Sequence, residues 1–137
     1  MAQRSSILAL AVALLAGAGA AQAHHSFAMF DAGKTVTLKG EVKGFQWTNP
    51  HAILFVYGAP VSGGAPTTWS VELTSPGNLT RLGWSKRSLN PGDAVLVDIS
   101  PLRDGQPGGG FKKVTLPSGQ VLTSSFKDQE RPDLHLK

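Results

Sequence analysis

The 137-residue chain contains no cysteine, and that absence removes several function classes at once. Disulfide frameworks, thiolate metal sites and cysteine nucleophiles are excluded together, so stability has to come from packing. No G-x-S-x-G turn is present, and Gly108-Gly109-Gly110 is not followed by the Lys-Ser/Thr pair of a phosphate loop. The carboxylates Asp31, Glu41, Glu72 and Asp98 fall on different segments, with no pairing legible from their spacing. The sequence therefore reads as a binding protein and not as an enzyme. Charge of one sign is also scarce, with 13 Lys+Arg against 9 Asp+Glu. Only Lys86-Arg87 and Lys112-Lys113 are adjacent basic pairs. This scatter lacks the clustered basic footprint of a nucleic-acid binder, and no nucleic-acid partner is expected.

A membrane-spanning run is missing as well. The apolar stretch Ile7 to Leu15 is nine residues, short of the ~20 needed to cross a bilayer. Arg4 precedes it and Ala21-Gln22-Ala23 follows it, the three-part pattern of a secretory signal peptide. There is no twin-arginine pair and no lipid-accepting cysteine, so export by the general secretory route with cleavage after Ala23 is predicted. The mature chain, His24 to Lys137, has 114 residues and a net charge of +3 once Arg4 is gone. It is not an integral membrane protein after that cut. One domain of this length buries roughly two-thirds of its unfolded surface, enough for a core without staples.

What is present has mainly a period of two. After an N-terminal arm (24–34) with Phe27, Phe30 and a turn at Asp31-Ala32-Gly33, Val36, Leu38 and Val42 alternate with Thr37, Lys39 and Glu41. That is a half-buried strand. The phase slips at Gly44, where Phe45 and Trp47 take the apolar positions, and a β-bulge or bend is expected there. Thr48-Asn49-Pro50-His51 breaks the strand, Ala52 to Tyr57 reads as a central strand, and Gly58 to Pro66 as a loop. Thr67 to Leu73 alternates again. Ser75 then caps a two-turn helix with Pro76 at its first position and Gly83 at its end. Trp84 and Leu89 fold back on the core. Asn90-Pro91-Gly92-Asp93 is a turn, Ala94 to Ser100 a fourth strand, and Pro101 to Gly110 a glycine-rich loop. Phe111 to Leu116 is a fifth strand with a short return at Gln120 to Thr123, followed by a polar tail (124–137).

The fold class expected is all-β with one short helix. Three strands, a helix and two more strands is the element order of a small five-stranded OB-like Greek-key barrel over residues 35–123, with a β-sandwich as the competing architecture.

Cleavage after Ala23 would leave His24-His25-Ser26-Phe27 as the mature terminus. An N-terminal histidine offers its α-amine and ring Nδ1 to one metal, and nitrogen ligands of this kind suit Cu(II). His25 is an alternative ligand, His51 a candidate third one, and Met29 a candidate thioether for Cu(I). The competing interpretation is a solvated end, a turn-capping His51 and a Met29 that fills the core. A second candidate site is aromatic. Trp47, Tyr57 and Trp84, with Asn49, are candidate ligand-binding residues for a partner protein, small molecule or glycan, Trp69 and Phe111 being further aromatics of that face. The competing and stronger interpretation is that a domain this small needs its tryptophans as core.

Several motifs taken together are familiar: His24-His25-Ser26-Phe27, Phe30-Asp31, Trp47-Thr48-Asn49-Pro50-His51, Glu72-Leu73 before Ser75-Pro76, Gly83-Trp84, and Leu89 before Pro91-Gly92-Asp93. They resemble a family of bacterial exported proteins known only as a domain of unknown function, the 6152 family. The resemblance spans nearly the whole mature chain and implies a periplasmic setting. It carries no activity that transfers to any residue.

Overall fold

The computed structural model of the chain describes residues 28–125. The predicted signal segment with its cut after Ala23, the His24-His25-Ser26-Phe27 terminus, and the tail beyond Ser125 with His135 lie outside the described residues.

The alternation from residue 36 produces β1 (Val36–Gln46), in which Leu38 and Val42 are fully buried and Lys39 and Glu41 are exposed. Its register against β2 (Ile53–Pro60) shifts between Val42 and Gly44, leaving Lys43 as the extra residue of a bulge. Beyond the bulge Phe45 pairs with Leu54, so the inward set is restored after the slip. β3 (Thr67–Glu72) follows, then α1 (Pro76–Arg81), β4 (Ala94–Pro101), β5 (Gly108–Thr115) and β6 (Val121–Thr123). The helix begins where its chemistry dictates. Ser75 Oγ accepts from the Asn78 amide, Pro76 occupies the first turn, and Leu79 is fully buried.

β1 pairs antiparallel with both β2 and β4, β2 with β3, and β4 with β5. A parallel seam of three pairs, Ser70↔Gly108, Val71↔Gly109 and Glu72↔Gly110, joins β3 to β5. The circuit β1-β2-β3-β5-β4-β1 closes a five-stranded Greek-key barrel of OB type, and β6 extends the sheet beyond β5. Leu38, Leu54, Val56, Val71, Val97, Ile99 and Val114 fill the interior with essentially no exposure. Each such side chain contributes about 1.5–3 kcal/mol of burial free energy. Trp84 caps this core from below, 3% exposed, with its indole N–H donating to the Thr123 carbonyl at 2.8 Å.

Two expected loops are shorter than the sequence suggested. β2 continues to Pro60 because the long β1 still offers partners there, at Gly40, Lys39 and Leu38. The glycines 108–110, expected in a loop, are strand residues. A Cβ on Gly109 would run into the Ser100 main-chain carbonyl of β4 and stand 2.9 Å from Ile99 Cδ1, so the absent side chain is what lets β5 lie between β3 and β4.

The N-terminal arm is docked onto the β4–β5 connection. Phe30 forms a bridge with Leu102, the Asp31 amide donates to Pro101 O at 2.8 Å, and the Arg103 amide donates to Met29 O at 2.9 Å. Arg103 Nε adds a bond to Ala28 O at 3.1 Å. The expected turn at Asp31 is present, closed by the Lys34 amide on Asp31 O. Among the described residues no helix is long and apolar enough to cross a membrane.

Candidate functional site

At the seam of the barrel the surface is concave. A cleft of about 260 Å³ opens between the arm, the β1–β2 connection and the β3–β5 seam. Phe30 and Phe111 are its aromatic walls, His51 and Glu72 its ionisable groups, and Thr74, Ser100 and Ser124 add hydroxyl-bearing residues to the lining. A second depression of about 140 Å³ shares Phe30 and Glu72 and is bordered by Met29 and Leu102.

Local backbone structure explains why His51 and Glu72 meet. The Ala52 amide donates to Thr74 O, and the Leu73 amide donates back to Ala52 O. This pins the residue after His51 against the end of β3. Ile53 pairs with Glu72, and Glu72 is also held from its other side by Gly110. The two side chains then converge, with Nδ1 of His51 in contact with Oε1 of Glu72. Both are partly exposed, at 33% and 25%. His51 makes no other polar contact among the described residues, which leaves its Nε2 without a partner there.

The expected ligand residues separate into groups. His51 lines the cleft. Met29 is 46% exposed beside the second depression, so it is not core filler. His24 and His25 lie outside the described residues, and His24 is four residues upstream of Ala28. Among the described residues no three His, Cys, Asp or Glu side chains gather as a metal-holding group.

The expected aromatic face does not form as one surface. Trp84 is a core residue, in edge contact with Phe111 at 5.6 Å and tilted against Phe45 at 6.1 Å. Trp47 is half-buried on Phe45 at 5.6 Å. Tyr57 faces outward at 47% exposure, beneath the Lys43 ammonium and opposite Glu41. Asn49 is exposed in the same connection as His51. Trp69 is half-buried and its indole N–H is committed to Gly58 O. The physical reason is supply: a barrel this small draws on its large aromatics to fill its ends. Only Phe111 of the aromatics considered lines the cleft, and Phe30 supplies the opposite wall.

Sequence reasoning missed Glu72 as a partner of His51. On β3 it occupies an alternating polar position indistinguishable from a solvated carboxylate, and only the β2–β3 register joins the two. Two lysines near the barrel seam are engaged in structural contacts. Lys112 Nζ donates to Lys34 O and Thr35 Oγ1, and Lys113 approaches Asp98 at 3.5 Å.

A family model described as "Family of unknown function (DUF6152)" matches residues 11–112. No curated protein and no solved structure matches the chain. With three-quarters of its length matched, the chain belongs to this family of unknown function (DUF6152).

Proposed function

We propose that the protein is an exported, periplasmic, non-enzymatic copper-binding protein whose site is assembled from the mature N-terminal His24 and from His51. The observation that carries this reading is the docking of the arm. Arg103 holds Ala28 and Met29 beside the depressions that Glu72 and Phe30 share. His24 lies four residues before Ala28 in the sequence, and this reading requires that short step to bring the chelate to His51. The α-amine and Nδ1 of His24 close a chelate on Cu(II), and one imidazole nitrogen of His51 adds a third ligand. His25 is the alternative second histidine, and Met29 supplies a soft thioether for Cu(I).

The test is a Cu(II) titration, by calorimetry with EPR, of protein whose first residue is authentic His24. A second protein carries one extra alanine before His24, which removes the amine from chelate reach. One-to-one binding that the added alanine abolishes and His51→Ala weakens is the expected result. Equal, weak binding in all three proteins refutes the copper reading.

A second reading has its own observation, the pairing of two phenylalanine walls with His51, Glu72 and two serines in one cleft. OB-type barrels bind ligands at the connections that flank this position, and such a cleft suits a small organic ligand or a single sugar unit without metal. Ligand-observed NMR of a fragment and monosaccharide set against the metal-free protein discriminates between the two. Hits lost on Phe111→Ala but unchanged by the alanine extension support this second reading.

A further inference from the structure

We infer that the cleft takes a single neutral sugar ring and rejects its anionic counterpart, with Glu72 as the residue that sets this preference. This deepens the organic-ligand reading above and rests on it. Charge is the first argument. Among the described residues that line the cleft, Glu72 is the one carboxylate and none is lysine or arginine. Lys112, the basic residue next to Phe111, is committed to Lys34 O and Thr35 Oγ1. A ligand carboxylate or phosphate would meet a like charge with no permanent cation to offset it.

Hydrogen bonding is the second argument. Nδ1 of His51 touches Oε1 of Glu72, and a hydrogen has to lie between them because two facing lone pairs repel. In the neutral ring Nδ1 supplies that hydrogen, which leaves Nε2 as an acceptor. Neither side chain makes a further polar contact among the described residues. Nε2 and the second carboxylate oxygen are therefore open to a ligand's donors. The cleft's own donors are hydroxyls. Thr74 Oγ1 accepts from the Asn78 side chain at 3.0 Å and retains its own hydrogen. Ser100 and Ser124 have no side-chain hydrogen bond among the described residues. This mixture suits a ligand whose groups both give and take hydrogen bonds, as the several hydroxyls of a sugar do. A phenol, with one hydroxyl, would leave most of the set unserved.

Shape is the third. Phe111 is braced edge-on against Trp84 at 5.6 Å, and Phe30 lies against Gly110. Glu72 is held in strands on both sides, opposite Ile53 and Gly110. Walls and carboxylate are thus fixed before any ligand arrives. The C–H face of a pyranose is apolar and faintly positive, which complements the electron-rich face of a phenyl ring. A volume of about 260 Å³ falls below the roughly 300–1,000 Å³ of drug-sized sites, so it fits one ring and not a chain of them.

The test is ligand-observed NMR with affinity titration of the mature protein, in matched pairs: glucose against glucuronate and galactose against galacturonate, with 4-methylphenol as the single-hydroxyl probe. At least one neutral sugar should bind, and its uronate about tenfold more weakly, the size of one like-charge repulsion near a protein surface. Glu72→Gln keeps a carbonyl acceptor for His51 Nδ1 and removes the charge, so it should largely close that gap, with urea midpoints establishing that it is folded. Should the variant not fold, the ratio in the natural sequence decides alone. A uronate that binds the natural sequence as tightly as its neutral partner overturns the inference, as does a gap that a folded Glu72→Gln leaves unchanged. Binding of 4-methylphenol without either neutral sugar also overturns it, while the organic-ligand reading survives. Failure of that reading looks different: no probe binds, and the inference falls with it.

Discussion

Phe30→Ala is the substitution that most directly probes the coupling between arm and cleft. Phe30 is 9% exposed, bridges Leu102 and lies across Gly110, where an added Cβ would meet the ring at 3.2 Å. Truncating the ring removes on the order of 100 Å² of buried apolar surface, or about 2.5 kcal/mol at ~25 cal/mol per Å². A residual cavity raises this towards 3 kcal/mol. The loss has a ceiling, however, because the arm can lift while the barrel stays closed. Once the arm is free, further destabilisation of the arm no longer registers in global unfolding. The expected result is a loss of about 2–3 kcal/mol in urea unfolding followed by tryptophan fluorescence. The Asp31 and Arg103 amides, which bond across the arm, should exchange with solvent faster by up to about a hundredfold, since each ~1.4 kcal/mol is tenfold. If those two amides keep their protection and stability falls by under about 0.5 kcal/mol, the arm is not held by Phe30.

Other substitutions test the seam and the helix. Gly109→Ala should destabilise by about 3 kcal/mol or more, because its methyl group would run into the Ser100 main-chain carbonyl, which cannot give way without moving β4, as well as Ile99 Cδ1 at 2.9 Å. Gly77→Ala, on the helix with its nearest atom 4.0 Å away, should instead stabilise by about 0.5–1 kcal/mol. Opposite signs in paired urea titrations are the required outcome. Ser75→Ala should cost about 1 kcal/mol by removing the acceptor for the Asn78 amide, measured as a lowered denaturation midpoint with an unchanged slope.

The parts of the fold that could be read from sequence are those governed by local chemistry. The alternation of Val36, Leu38 and Val42 showed which side of β1 faces inward, and the phase slip marked the bulge beside Gly44. Ser75 and Pro76 announced the helix. Glycines 108–110 were illegible as strand, because residues without side chains show no alternation. Their role appears only where two neighbouring strands crowd them. The site was half legible: His51 stood out beside Pro50, but Glu72 reaches it through a pairing of distant segments. Docking of the arm runs through main-chain bonds at Pro101 and Met29, which leave no mark in residue type, and through the Arg103 side chain on Ala28 O, which looks in sequence like any other exposed loop arginine. Trp84 followed the same logic in reverse, since an indole suited to a ligand platform is equally suited to closing a barrel.

The indole bond from Trp84 to Thr123 bears on where the folding unit stops. The family match ends at residue 112, inside β5, whereas Val114 is fully buried and Lys113–Thr115 pair with both β4 and β6. A chain shortened to the matched segment would lose the partners of Leu96 and Val97 and leave a buried indole donor with nothing to accept it. The smallest autonomous piece therefore runs through Thr123: any excised version has to include that strand, and a fusion partner has to begin after it.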